Sequence, residues 1–198
     1  EEMEKARTFY DLAPNNFVFA MIARIEDIKG HTYFLQAAEK IKDKYPEARF
    51  YICGTGGYAE NVKNEIKMRN LSDCVMYLGH VQDVTSVMNI IDVNVNCSYG
   101  TEATSLSLLE GMSVGKPIIA SDYGGNPELV HDGENGLLFK SKNADELADK
   151  MVRLLSDKAL YGRLSSGAKK LYESSYTARI MTARIEEIYE ETAGRKRK

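Results

Sequence analysis

The sequence has 198 residues, 43% of them hydrophobic, with 26 Lys and Arg against 29 Asp and Glu and a net charge of −3. That is the size of one domain with a full core, and it lacks the basic excess of a nucleic-acid binder. Cys53, Cys74 and Cys97 lie far apart at apolar runs, as buried reduced thiols do in a reducing compartment, and His31, His80 and His131 stand alone, so no metal site is expected.

In chain order, short β-branched and aromatic runs alternate with helix-period segments. Residues 1–15 read as a linker-like start, residues 16–192 as one core with C-terminal helices, and 193–198 as a basic tail. Within the core the pattern predicts a strand over Phe17–Ala23 and a helix over Thr32–Tyr45. A strand over Arg49–Cys53 follows, then a helix over Ala59–Arg69 and a strand over Val75–Leu78. A short helix near Val84–Ile91 leads to a strand over Asp92–Cys97. A helix then runs up to Gly115, and a strand covers Pro117–Ser121. Asn126 is a candidate N-cap for a short helix over Pro127–His131, Leu137–Phe139 is a last strand, and helix follows from Ala144. The expected fold class is α/β, a doubly wound, mostly parallel sheet of the Rossmann type. In such sheets ligands bind beyond the carboxyl ends of the strands, where strand order reverses.

The loops at those ends carry the chemistry. After the first strand, Arg24 and Lys29 place two cations where a diphosphate would sit, with two solvated loop cations as an equal alternative. After the second, "CGTGGYA" (53–59) matches a dinucleotide fingerprint with Asp73 downstream, yet it sits on the second strand–helix turn where the fingerprint belongs on the first. A tight glycine turn is the better reading, and it still keeps Gly54 near a ligand. After the strand ending at Cys97, Glu102 lies in the loop and Glu110 eight positions on, inside the helix. A helix starting near Thr104 would aim the N–H groups of Thr104, Ser105 and Leu106 at the space beside Glu102, an anion site. A carboxylate there suits sugar hydroxyls. Glu110 has a plainer reading, a capping box with Ser107.

In order, the motifs are Arg24 to Lys29-Gly30, Gly54-Thr-Gly, Leu78-Gly-His, the pair Glu102 and Glu110, Gly115-Lys-Pro, Gly125-Asn-Pro-Glu and Asn135-Gly-Leu-Leu. From Phe17 to Tyr189 the chain resembles the C-terminal, donor-binding half of a GT-B glycosyltransferase of family 4, the glycosyl transferases group 1 type. That resemblance implies a retaining enzyme that moves a sugar from a nucleoside-diphosphate sugar (a UDP-, GDP- or ADP-sugar) to an acceptor hydroxyl, with no other cofactor. Arg24 and Lys29 would hold the diphosphate and stabilise the leaving nucleotide without a metal, and Glu110 would take the ribose. Glu102 would meet the donor sugar, the amides of Thr104 to Leu106 would hold phosphate, and Gly79-His80-Val81 would face the base. It also implies an N-terminal acceptor domain absent from these 198 residues, a fragment inactive alone, and a cytoplasmic setting with peripheral contact to the membrane's inner face through the basic tail. The alternatives are an NAD(P)-binding oxidoreductase domain built on "GTGGYA" and a non-enzymatic interaction domain that uses its C-terminal helices.

Overall fold

A computed structural model describes residues 2–195. Its sheet has six strands, β1 (Phe17–Ile22), β2 (Ala48–Cys53), β3 (Val75–Gly79), β4 (Val93–Asn96), β5 (Ile118–Ser121) and β6 (Gly136–Phe139), in the order β3-β2-β1-β4-β5-β6. Every pairing is parallel. The doubly wound α/β expectation holds, and the order reverses between β1 and β4, which fixes where the crevice lies.

Side chains alternate along each strand and build two faces. On one face Phe19, Met21, Phe50, Ile52, Val93, Val95, Ile119 and Phe139 pack against α2 (His31–Ile41), α3 (Ala59–Met68) and α7 (Ala144–Ser156). Phe50 is the centre of that face, stacked on Phe19 at 5.7 Å and edge-on to Phe34 at 5.8 Å. On the other, Val18, Ala20 and Tyr51 pack against α4 (Val84–Ile90) with α1 (Glu2–Phe9) beside it. Further along, Ile118 and Ala120 pack with Leu108 and Met112 of α5 (Leu106–Ser113) and Ala168 of α8 (Lys158–Ser175). α6 is the short Asn126–Leu129 segment, and α9 (Ala178–Arg195) follows α8.

Local chemistry accounts for the ends of these elements. Asp83, Asn143 and Asp157 cap α4, α7 and α8, each with its side-chain oxygen on first-turn N–H groups. Gly115, at φ 72°, ends α5: Lys116 N–H donates to the Gly111 carbonyl at 2.9 Å and Gly115 N–H to the Met112 carbonyl at 3.0 Å, a Schellman stop.

Four expectations change. The linker-like start holds α1, whose Ala6 flanks the second core face together with Tyr10 just after the helix. The helix expected over Thr32–Tyr45 is the shorter α2, and α5 starts at Leu106 rather than near Thr104. Asn126 is the first residue of α6 rather than its cap, which is Gly125. Of the basic tail, residues 196–198 lie outside the described residues. No helix among the described residues is long and apolar enough to cross a membrane.

Phe50→Ala should cost about 3–5 kcal/mol in urea unfolding, while Phe9→Ala, at a residue 81% exposed, should stay within about 0.5 kcal/mol of the parent.

Candidate functional site

Three loops meet over the carboxyl ends of β1, β4 and β5, and they meet through backbone. Tyr99 N–H donates to the Ile28 carbonyl at 2.9 Å, and Gly125 N–H to the Glu102 carbonyl at 2.9 Å. Gly30, at φ 76°, lies so close to Cys97 that a Cβ there would stand 2.2 Å from its carbonyl oxygen, and a Cβ on Gly125 would stand 1.8 Å from that of Ala103. This docking keeps residues 101–104 out of helical geometry, which is why α5 begins two residues late.

The loops bring Lys29 and Glu102 together. Lys29 Nζ lies 2.8 Å from Glu102 Oε2, with the two side chains 12% and 9% exposed. The same oxygen accepts from Ser98 Oγ at 2.6 Å and from Asn96 Nδ2 at 3.4 Å. Burial pushes the Glu102 carboxyl up, but the Lys29 ammonium, the Ser98 hydroxyl and the Asn96 amide outweigh it and hold the group below the usual glutamate value. Two buried charges gain little net stability from pairing; what the pair fixes is where they stand.

Arg24 is not drawn into that pair. Its guanidinium is 74% exposed and 3.0 Å from Glu26. Together with Gly54, His80 and Val81 it lines a shallow groove of about 250 Å³ across the ends of β1 to β3, so Arg24 shares one wall with the residues expected to face the base, and Lys29 lies outside it. Of the expected phosphate amides, Thr104 lies before the helix, Ser105 is its N-cap and Leu106 its first residue; the free first-turn N–H groups are those of Leu106, Ser107 and Leu108. The capping box fails because Ser107 is the second residue of α5, whose N-cap is Ser105, and Glu110 sits in the second turn. Its carboxylate has no partner among the described residues, and partial burial raises its pKa. An exposed, unpartnered glutamate beside a crevice is free for a ligand.

The "GTGGYA" loop has another use for its glycines. A Cβ on Gly54, at φ 141°, would stand 1.9 Å from the Ala23 carbonyl oxygen, and one on Gly56 2.2 Å from that of Ile25. Ile25 N–H donates to the Thr55 carbonyl and Tyr58 N–H to that of Ile25. The turn is built to dock on the Arg24–Lys29 loop. Asp73 precedes β3, at the amino edge of the sheet, roughly a strand length of 16 Å from the glycines.

Sequence reasoning missed the polar side chains beneath Glu102. Asn96, Ser98, Ser121 and Asn126 are all buried and hydrogen-bonded to one another. The signal was present in "DVNVNCS", where Asn94 and Asn96 alternate with valines inside a fully buried strand. Asn94 has a separate task, donating to the Ser107 carbonyl at 2.6 Å against Gly111 and so seating α5 on the sheet. His31 is 1% exposed with neither ring nitrogen in hydrogen-bonding geometry, and burial lowers its pKa to about 4, outweighing an opposing pull from the Glu26 backbone. The three cysteines are free and buried, as expected.

The family model described as "Glycosyl transferases group 1" matches residues 2–171. An Escherichia coli UDP-Gal:alpha-D-GlcNAc-diphosphoundecaprenol alpha-1,3-galactosyltransferase is 32% identical over 152 residues, 75% of this chain and 39% of that protein. The crystal structure of Anabaena HepE in complex with UDP-glucose superposes with a TM-score of 0.89 at 25% identity, over 96% of this chain and 52% of that one. The C-terminal domain of the group 1 glycosyl transferase LpcC from Francisella tularensis has a TM-score of 0.80 at 24% identity, covering 89% of this chain and 93% of that one. The chain thus spans less than half the length of the curated relatives it matches.

Two measurements check this geometry. Gly125→Ala should speed amide exchange in residues 102–105, while Gly57→Ala, with nothing within 4 Å of its Cβ, should leave it unchanged. His31, whose pKa falls on folding from 6.5 to about 4, takes up a proton more readily when unfolded, so stability is complete above pH 6.5 and declines as pH falls towards 4. The loss is of the order of 3 kcal/mol, and His31→Leu should flatten that slope in urea unfolding across the window.

Proposed function

Since the chain belongs to the glycosyl transferases group 1 family, we propose that it is the donor-binding half of a retaining, family 4 hexosyltransferase that takes a nucleoside-diphosphate sugar. The observation that carries this reading is the buried Lys29–Glu102 pair at the sheet's switch point, followed eight residues on by an unpartnered Glu110. A cation and two carboxylates at one crevice match the parts of such a donor, a diphosphate flanked by hydroxyl-bearing sugars.

In this reading the nucleoside lies along the groove of Arg24, Gly54, His80 and Val81, with the base against the backbone of Gly79 to Val81. Glu110 accepts from the ribose hydroxyls. The diphosphate lies between Lys29 and the first-turn N–H groups of α5, and Glu102 accepts from the donor sugar. As the glycosidic bond breaks, negative charge grows on the leaving phosphate oxygen; the Lys29 ammonium, the Arg24 guanidinium and the α5 N–H dipoles stabilise it where it develops. These fixed charges do the neutralising, so the proposal needs no metal. Acceptor recognition, and with it turnover, falls to the remaining half of such an enzyme. The UDP-glucose held by HepE and the UDP-Gal in the name of the E. coli relative favour UDP as the first nucleotide to try. A cytoplasmic enzyme touching the membrane surface through its basic end completes the proposal.

The oxidoreductase alternative loses its footing, because Gly54 and Gly56 are spent on loop docking and Asp73 stands at the wrong edge. The interaction-domain alternative keeps one favourable observation: α9 exposes Met181, Ile185, Ile188 and Tyr189.

Calorimetry with UDP, GDP, ADP and NADH tests the reading. One nucleoside diphosphate should bind with Kd between roughly 1 μM and 1 mM, weakened about tenfold by Glu110→Gln and by Lys29→Ala, the size of one charge-assisted hydrogen bond. Binding of NADH alone would overturn it.

A further inference from the structure

The Glu102 carboxylate is held by one oxygen. Oε2 receives Lys29, Ser98 and Asn96, while Oε1 has no hydrogen-bond partner among the described residues. Lys29 supplies a point charge, which sets distance but not the plane of the carboxylate. The directional donors are Ser98 and Asn96, and neither is free to turn. Asn96 Oδ1 accepts the Ser98 backbone N–H at 2.9 Å, which commits its Nδ2 to face Glu102 and Ser105. The Ser98 carbonyl accepts from Ser121 Oγ at 2.6 Å, so the hydroxyl of Ser98 is anchored from behind. Asn126, fully buried, donates to the Ser121 carbonyl at 3.2 Å and to Asn96 Oδ1 at 3.4 Å. These bonds run without a break from the ends of β4 and β5 to a single carboxylate oxygen.

We infer that Asn96 and Ser98 are positioning residues for the sugar subsite: they clamp Glu102 through Oε2 and so present Oε1 to a hydroxyl of the donor sugar. This rests on the assignment of Glu102 to the sugar. A network that only satisfied the buried polar groups of β4 would act on stability and on nucleotide and nucleotide-sugar binding alike. A clamp acts on the sugar alone. Asn96 ends β4 and Ser98 lies two residues on in the loop that follows, and both donate to the same atom.

The test compares UDP with UDP-glucose, GDP with GDP-glucose and ADP with ADP-glucose by calorimetry, using the pair that binds tightest. Beside it, the Glu102 carboxyl is titrated by ¹³C NMR in the empty chain. In Ser98→Ala, the ratio of the nucleotide-sugar Kd to the nucleotide Kd should rise about fivefold to tenfold, one hydrogen bond to a charged group, with the nucleotide Kd unchanged. The Glu102 titration midpoint should move up. Asn96→Asp, nearly isosteric, replaces a donor by an acceptor facing Oε2 and should raise both further. If Glu102→Gln raises the ratio and Ser98→Ala does not, or if the Glu102 midpoint stays put in Ser98→Ala, the clamp is overturned and the sugar assignment stands. If Glu102→Gln leaves the ratio unchanged, or none of the six nucleotides binds, the donor reading itself falls and takes the clamp with it.

Discussion

One ion pair ties together the two halves of the sheet. Lys29 arrives on the loop after β1 and Glu102 on the loop after β4, the two strands between which the order reverses. Every doubly wound sheet has a gap there, because the connections leave in opposite directions. Here the gap is spanned by two opposite charges 2.8 Å apart, each nearly out of water. The loops therefore share a relative position, and the helix that follows Glu102 starts from it.

The sheet divides its labour between its faces. The face that carries Phe19 and Phe50, with Phe34 of α2 edge-on to Phe50, is a dry core of stacked and edge-on rings. The opposite face of β4 carries Asn94 and Asn96, two amides that would be a liability at 0% and 6% exposure without partners. Asn94 spends its amide on the backbone of α5, and Asn96 spends its own on the loops. The dry face holds the sheet flat against its helices, while the polar one converts the strand ends into fixed donors and acceptors. Some orphan atoms remain, notably Asn94 Oδ1, Asn126 Oδ1 and both nitrogens of His31, and all belong to segments around this crevice. A site that must keep polar groups dry tolerates such costs.

The alternation of strands and helices was legible because each β-branched run is closed by a turn residue, and helix was legible from Ala144 onward, though not its division into α7, α8 and α9. The helix end at Gly115 was equally plain. Less legible was the start of α5, since Thr104 and Ser105 are both acceptable caps and only the docking of Gly125 on Ala103, across twenty-two residues of sequence, decides between them. Lys29 and Glu102 could be named from their positions after strands, but their contact could not. Arg24 and Lys29 looked alike in the sequence and differ in the fold, one solvated and one buried, because the turn at Asp27–Lys29 directs the second inward. Asn126 looked like a cap and is part of the buried network. The partner that Lys29 meets lies 73 residues along the chain, and the β4 partner of Asn126 lies 30 residues back.

The loops around the crevice grip one another by main chain: Tyr99 to Ile28, Gly125 to Glu102, Thr55 to Ile25. Main-chain contacts carry no record of residue type beyond the glycines that allow the approach. Side chains that rise from these loops, such as Thr55, His80 and Tyr123, can then be exchanged without disturbing the frame on which Lys29 and Glu102 stand. A crevice assembled in this way is a socket with a fixed mount and replaceable facing. Divergence can retune what it admits one side chain at a time, at little cost to folding.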